Sequence, residues 1–281
     1  MKHSSLLQVF VFDVGGKQWK SYDWSVVTTV AAFGKYDPEL LCFAHSKGAR
    51  LVLKGDVSLD YIVDPTNRTA WISGQVDLAK KQFMDGINID IEHEVQDGSP
   101  EYYALTALVK ETTEAFHEEI PGSQVSFDVA WSPRCIDKRC YNYITIAESC
   151  DLLFVMSYDE QSQIWGDCIA MANAPYNQTL AGYTDYLKMN IDPKKLVMGV
   201  PWYGYDYACL EFTQDDQGQI HQVWYDDPKS ISQKAAYVKE QGLRGIGMWN
   251  GNLLDYSDDP VAELQSKEMW NALKPGAVGK L

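Results

Sequence analysis

The sequence has little positive charge and no long apolar stretch. There are 24 basic against 39 acidic residues, so the formal net charge is -15, and such a surface repels nucleic acid and anionic membranes. No apolar stretch reaches the roughly 18 residues of a membrane span. We therefore expect no nucleic-acid partner and no membrane association. A neutral or cationic ligand suits the charge better, although acidity also serves solubility alone.

The sequence also lacks the short motifs of nucleotide and zinc sites. No GxGxxG follows the first strand-like segment, which argues against a dinucleotide-binding fold. The 6 cysteines show no paired CxxC spacing, and we expect neither a metal nor a cofactor. The close pair Cys135 and Cys140 is a candidate disulfide across a loop, whereas Cys42 resembles a buried helix residue.

Several weak signs favour a secretory compartment. Two Asn-x-Thr sequons, at Asn67 and Asn177, are candidate glycosylation sites, and cysteines of this number suit an oxidising environment. The opening residues run from a short polar start into a strand-like pattern without the features of a signal peptide. We expect the sequence to be a mature or truncated form.

Eight apolar, β-branched segments recur along the chain with helical patterns between them. They are residues 9–15, 26–34, 49–57, 86–92, 125–131, 152–159, 196–204 and 245–250. The clearest helix follows Ser99 and Pro100, a capping residue and a favoured first helical residue. Eight alternating units in this length predict one (β/α)8 barrel across residues 1–281 rather than an open sheet. The first connection, GKQWKSYDWS, is barely long enough for a crossover helix.

One segment, DGINIDIE at 85–92, alternates polar and apolar residues. A strand turns Asn88, Asp90 and Glu92 to one face and three isoleucines to the other. On an open strand that polar face would meet water. In a barrel it points inward and places Glu92 at the C-terminal mouth. Polar or aromatic residues end the other strands: Asp13, Asp56, Trp131, Tyr158, Asp159, Tyr203 and Trp249.

These residue types suit work on a sugar. Two carboxylates one strand step apart can share a proton, so that one stays neutral and acts as an acid. We expect Glu92 to be that acid. Tryptophan and tyrosine rings commonly floor a cleft for sugar rings. Inward polar residues can also merely satisfy one another, but the row and the aromatic strand ends together favour a functional site.

The segment DGINIDIE resembles the DGxDxDxE signature of glycoside hydrolase family 18. That family consists of (β/α)8 barrels that cleave β-linked N-acetylglucosamine. Residues 156–159, MSYD, are similar to the MxYD of its sixth strand, and Phe33 and Trp249 match aromatic positions of its second and eighth strands. Phrases such as SYDEQSQIW, VPWYGYDY and LRGIGMWN resemble the di-N-acetylchitobiase branch. The resemblance covers nearly the whole chain.

The resemblance implies a retaining hydrolysis without a protein nucleophile. Glu92 would protonate the glycosidic oxygen while the 2-acetamido oxygen of the substrate attacks the anomeric carbon, and Asp90, Tyr158 and Asp159 would hold that group. The implied substrate-binding residues are Asn88, Phe33, Met156, Trp131, Tyr203 and Trp249. The implied substrate is a free oligosaccharide with a chitobiose core, which loses its reducing-end N-acetylglucosamine in the lysosome. We expect the enzyme to act as a monomer.

The sequence departs from the family pattern at four places. Asn88 replaces an aspartate, so Asp90 would have no carboxylate beneath it and would lean toward Glu92. LKGDV replaces SxGG on the third strand, and Tyr205 replaces an arginine. Between Tyr207 and His221, a longer family insertion is largely missing. The alternatives are an endo-acting chitinase or endo-N-acetylglucosaminidase, a chitinase-like lectin, or an inactive variant.

Overall fold

Eight parallel strands close into a barrel in the computed structural model, which describes residues 7–161, 169–209 and 220–274. The barrel strands are β1 (Gln8–Asp13), β2 (Thr29–Ala32), β3 (Arg50–Gly55), β4 (Gly86–Ile89), β5 (Gln124–Ala130), β6 (Leu152–Met156), β7 (Leu196–Pro201) and β10 (Gly245–Trp249). Their order around the barrel is β1-β10-β7-β6-β5-β4-β3-β2. The predicted (β/α)8 barrel is confirmed, and each predicted segment overlaps one of these strands, although β1 and β5 begin one residue before their segments.

Helices follow the strands and cover the outside of the barrel. They are α1 (Pro38–Ser46), α2 (Leu59–Val63), α3 (Pro65–Gln82), α4 (Pro100–Glu119), α5 (Tyr143–Ser149), α6 (Tyr176–Lys188), α7 (Pro228–Glu240) and α8 (Pro260–Ala272). Helices α1, α3, α7 and α8 begin with Asp-Pro: the aspartate accepts a backbone N–H of the first turn, and proline takes the first helical position. In the described ranges, no helix is long and apolar enough to cross a membrane.

The connection between β1 and β2 contains a single 3-10 turn, Gln18–Ser21. This explains how a segment too short for a crossover helix still joins parallel strands. Trp19 is buried in this turn and packs against Phe43 of α1, with ring centroids 5.3 Å apart. A large aromatic side chain therefore covers the barrel where a helix would otherwise lie.

Two apolar layers form the core. The outer layer lies between strands and helices and includes Ile87, Ile89 and Ile91, all fully buried, as the alternation in DGINIDIE predicts. The inner layer fills the barrel and is aromatic: Phe10, Phe12 and Phe154 lie with centroids 4.7–5.4 Å apart. These rings need space, which glycines on β7 and β10 provide.

The cysteine predictions have mixed outcomes. The pair Cys135 and Cys140 forms a disulfide, as the spacing suggested. The prediction for Cys42 was wrong, since it is exposed on α1. The buried face of α1 is built by Leu40, Leu41 and Ala44, and the neighbouring position 42 turns outward because a helix advances 100° per residue.

An antiparallel hairpin follows β7 and was not predicted. Its strands are β8 (Tyr205–Cys209) and β9 (Ile220–Trp224). The shortened stretch after the seventh strand falls between them, and its residues 210–219 lie outside the described ranges.

Candidate active site

The polar row of β4 rises from the barrel interior to its mouth. Asn88 is fully buried, Asp90 has 15% of its side-chain surface exposed, and Glu92 has 52% exposed. The strand pairing ends at Ile89, so both acids stand just beyond the last ladder residue. This gradient brings one carboxyl to the cleft and keeps the second at its base.

The carboxyls of Asp90 and Glu92 interact directly, and this interaction raises the pKa of Glu92 while it lowers that of Asp90. Burial in the cleft, and then the negative charge of Asp90, raise the pKa of Glu92. Burial also raises the pKa of Asp90. Because half of the Glu92 side chain meets solvent, its desolvation is partial. The pair can therefore hold one proton on Glu92, as an acid catalyst requires.

Each of the two acids has its own cation, and the sequence analysis anticipated neither. The Nζ of Lys54, on β3, lies 3.3 Å from Asp90 Oδ2 and 4.9 Å from the centroid of Phe33. The Nη1 of Arg139 lies 2.8 Å from Glu92 Oε2. Lys54 belongs to LKGDV, which replaces the family's SxGG. Each cation favours the charged form of its carboxyl and so lowers its pKa, whereas burial raises that pKa.

A third carboxyl, Asp128 of β5, was also missed. It is 2% exposed and accepts a 2.7 Å hydrogen bond from Asn88 Nδ2, while Asn88 Oδ1 accepts one from Ser126 Oγ. Burial, and then the charge of Asp90, raise the pKa of Asp128 well above its usual value. Asn88 thus lies beneath Asp90 as predicted, but a carboxyl that was not predicted stands close to Asp90 on the neighbouring strand. The alternation in VSFDVAW, which turns Ser126, Asp128 and Ala130 to one face of the strand, could have predicted this inward carboxyl.

The end of β6 and the residues that follow it lie one strand beyond β5 from these acids. Met156 and Tyr158 are buried in the inner layer, and burial raises the pKa of Tyr158. Asp159 has a left-handed backbone with φ of 50°, and its N–H donates to Asn173 Oδ1 at 2.6 Å. Its Oδ1 accepts the hydroxyl of Tyr203 at 2.6 Å and that of Tyr205. Tyr205, in the place of the family's arginine, thus helps to fix Asp159.

Aromatic rings floor the mouth between β1, β2 and β10. Trp249 and Phe33 are partly buried, lie 5.4 Å apart, and both pack on Phe12. Trp131 stands on the other side, where a cavity of about 380 Å³ is lined by residues of the disulfide loop together with Asp159 and Glu160. Among the described residues, then, a floor of rings and a wall of polar groups meet around Glu92.

Two of the predicted strand-end residues, Asp13 and Asp56, have contacts other than with Glu92. Asp13 is buried, and its carboxylate accepts the Tyr22 hydroxyl at 2.7 Å and the Gly15 N–H at 2.9 Å. It therefore holds the loop after β1. Asp56 is exposed, with an oxygen 3.8 Å from Lys54.

The two predicted glycosylation sites both lie in first turns of helices. Asn177 is exposed on α6, and Asn67 is partly exposed on α3. Glycosylation of either remains a prediction. No group of three or more potential metal ligands occurs in the described part of the chain.

A family model, Glycosyl hydrolases family 18, matches residues 11–253. The chain belongs to this family. Together with the relatives described next, this match shows a glycosidase, which agrees with a pair of carboxyls at the mouth of a barrel.

Two mammalian relatives of family 18 align with nearly the whole chain. The chain is 61% identical to mouse di-N-acetylchitobiase and 59% identical to the human protein of the same name. Each alignment covers 98% of this chain, with 90% of the mouse and 86% of the human protein. Both alignments span 329 positions, which exceeds the 281 residues of this chain by 48. The relatives thus contain residues that this member lacks, as the predicted missing insertion requires.

The barrel also resembles solved chitinases. A chitinase from Chromobacterium violaceum superposes with a TM-score of 0.77 at 17% identity, covering 98% of this chain and all of that one. This likeness concerns the fold.

Proposed function

We propose that the protein hydrolyses β-1,4-linked N-acetylglucosamine with retention of configuration, and that it removes the reducing-end sugar from free oligosaccharides with a chitobiose core. The observation that carries the reaction is the pair of Asp90 and Glu92 at the mouth, where burial and the charge of Asp90 raise the pKa of Glu92. The choice of substrate is supported by the names of the relatives, which align over nearly the whole chain.

The proposed reaction has two steps. In the first, Glu92 donates its proton to the glycosidic oxygen, the bond from that oxygen to the anomeric carbon breaks, and the acetamido oxygen of the substrate attacks the same carbon to form an oxazolinium ring. In the second, Glu92 takes a proton from water, which attacks the anomeric carbon and opens the ring. Asp90 offsets the positive charge of the ring, and Tyr158 and Asp159 hold the acetamido group.

We also propose that the protein works as a monomer in the lysosome as part of glycoprotein breakdown. The raised pKa values of buried carboxyls suit an acidic compartment. The sequons and the disulfide suit a secretory route.

The test is to mix the protein with chitotetraose at acidic pH and follow products by proton NMR from the first minutes. The variants are Glu92→Gln and, as a matched control, Glu94→Gln, which changes an exposed acid two residues further on. We expect the parent and Glu94→Gln to release reducing-end N-acetylglucosamine, with the new end initially β. Glu92→Gln should be slower by roughly 100-fold or more while still binding.

Three other outcomes of the chitotetraose experiment would contradict parts of the proposal. Equal turnover in the parent and Glu92→Gln would contradict the assignment of the acid. Cleavage of internal bonds would identify an endo-acting enzyme. Ligand-induced shifts without any product would indicate a lectin.

A further inference from the structure

Residues 135–140 form a loop that is closed by the Cys135–Cys140 disulfide and docks on the segment carrying Glu92. The contact is through the backbone: Val95 N–H donates to Lys138 O at 3.0 Å, and Cys140 N–H donates to Val95 O at 3.1 Å. Tyr141 adds two more bonds, from its hydroxyl to the carbonyls of Ile91 at 3.0 Å and His93 at 2.8 Å. The loop and Tyr141 therefore hold the chain by hydrogen bonds on both sides of Glu92.

Arg139 projects from this loop and is itself firmly held. Its side chain is 10% exposed, and its Nη2 lies 3.0 Å from Asp137 Oδ2. Its carbonyl accepts the Tyr143 hydroxyl at 2.7 Å. The remaining Nη1 lies 2.8 Å from Glu92 Oε2. A buried guanidinium with a fixed backbone aims one N–H at the proposed acid.

We propose that Arg139 is a positioning residue for Glu92, held in place by the disulfide-closed loop, and that it sets the upper pH limit of turnover. The effect on turnover rests on the proposed function. Arg139 stabilises the ionised carboxylate that accepts a proton from water in the second step. In the free enzyme it opposes the protonated form that starts the first step. The contact thus balances the two roles of one carboxyl.

Other charged and titratable groups also face Glu92. Asp90 of its own segment raises the pKa of Glu92, whereas Arg139 lowers it. Further groups within electrostatic reach of Glu92 are Tyr141, which follows the loop, Asp128 of β5, and Tyr158, which follows β6. Lys54 and Asp56 act on Asp90, and Asp137 acts on Arg139. Among these, Arg139 is the cation in direct contact with Glu92.

The sign of the effect follows from these contacts. Free enzyme with protonated Glu92 is the active form for the first step, and this form is lost as the pH rises through the pKa of Glu92. Removing Arg139 removes a group that lowers that pKa. The alkaline limb of kcat/KM should therefore move to higher pH, whereas a loop that only supports the fold would change the rate equally at all pH values.

The test compares Arg139→Met and Arg139→Lys with the control Arg134→Met. Arg134 lies just before the loop, is exposed and pairs with Asp185. Glu92 is titrated directly by ¹³C NMR of its side-chain carboxyl, assigned by the signal lost in Glu92→Gln. We expect the Arg139→Met midpoint at higher pH, and the parent midpoint nearly kept in Arg139→Lys and Arg134→Met. The ratio of kcat/KM at pH 7 to that at pH 5 should rise roughly 3- to 10-fold in Arg139→Met.

A second variant, Cys135→Ser with Cys140→Ser, keeps Arg139 but opens the loop. We expect a smaller shift in the same direction, and this variant decides the matter if circular dichroism shows that Arg139→Met does not fold. An unchanged Glu92 midpoint in the folded variants would overturn the proposal. A shifted midpoint in a protein that does not cleave chitotetraose would keep the positioning role and reject the proposed function instead.

Discussion

The contacts of Asp159 show how single hydroxyl groups prepare the cleft. Its carboxylate accepts two tyrosine hydroxyls, from Tyr203 and Tyr205, in a left-handed turn that points it toward the mouth. A carboxylate bonded on one oxygen is fixed in direction, and its other oxygen stays available to an amide N–H of a ligand. The two tyrosines thus orient a group that the proposed reaction needs.

Tyr203→Phe keeps the ring and removes one of these two donors. We expect kcat/KM for chitotetraose to fall roughly 3- to 10-fold, because one hydrogen bond to a charged group is lost. Asp159→Ala should weaken both binding and rate further. Steady-state kinetics with Tyr225→Phe, an exposed tyrosine, as the matched control checks this. If the parent cleaved a substrate that lacks the acetamido group as well as it cleaves chitotetraose, assistance by the acetamido group would be wrong.

At the residue scale, the sequence predicted the two acids that follow β4 but not their partners. The row at 88, 90 and 92 is visible because a strand alternates with period 2. Lys54 and Arg139 reach the same acids from β3 and from the loop after β5. Proximity between distant segments depends on barrel register and loop conformation, which one sequence does not encode in a readable pattern.

At the scale of elements, the inner layer depends on glycines where strands meet rings. A Cβ at Gly199 of β7 would lie 2.6 Å from the Phe154 ring and 2.6 Å from Val155 O. The backbone contact gives no room for adjustment. Gly74 of α3, in contrast, has nothing within 4 Å of its hypothetical Cβ.

These two glycines form a matched pair for a stability measurement. We expect Gly199→Ala to lower the free energy of unfolding by about 1–3 kcal/mol through overpacking. Gly74→Ala should raise it by about 0.5–1 kcal/mol, because alanine is the better helix former. Urea unfolding monitored by circular dichroism measures both. Equal stability of the parent and Gly199→Ala would mean that the inner layer is looser than these contacts imply.

Element boundaries followed from the sequence where the pattern was strong. The helix α4 begins as predicted, with Ser99 Oγ accepting the Tyr102 N–H at 3.2 Å and Pro100 as its first residue. The hairpin β8–β9 was missed because most of its described residues are exposed, so that no buried apolar face marks its strands. Nothing in such a stretch distinguishes a paired ribbon from a solvated loop.

At the scale of the whole molecule, buried carboxyls make stability depend on pH. Glu160 is 6% exposed, and burial raises its pKa from 4.5 to about 8. Its Oε1 accepts the Thr179 hydroxyl at 2.5 Å, and its Oε2 has no hydrogen-bond partner in the described structure. Other carboxyls of the barrel interior and its mouth also have raised pKa values: Asp13, Asp90, Glu92 and Asp128.

The folded protein should therefore be most stable in acid. At a pH between its unfolded-state and folded-state pKa values, a carboxyl with a raised pKa keeps its proton in the folded protein and loses it in the unfolded chain. The free energy of unfolding therefore falls as the pH rises through this window. For Glu160 the window runs from about 4.5 to about 8, with a slope of at most about 1.4 kcal/mol per pH unit. We expect Glu160→Gln to flatten the fall in stability between these limits, in urea unfolding at a series of pH values.

The matched control for this measurement is Glu118→Gln, which changes an exposed acid on α4. It should leave the slope of the parent unchanged. A stability that rises with pH across the window would contradict the assignment, because surface carboxyls with lowered pKa, such as Asp37 and Glu39, would then dominate.

The three phenylalanines Phe10, Phe12 and Phe154 also decide how the interior connects to water. Their rings fill the barrel axis, so the barrel is a blind-ended well and not a tunnel. A sugar chain can rest across the rim but has no passage through the bottom, and a released sugar leaves by the side from which it arrived.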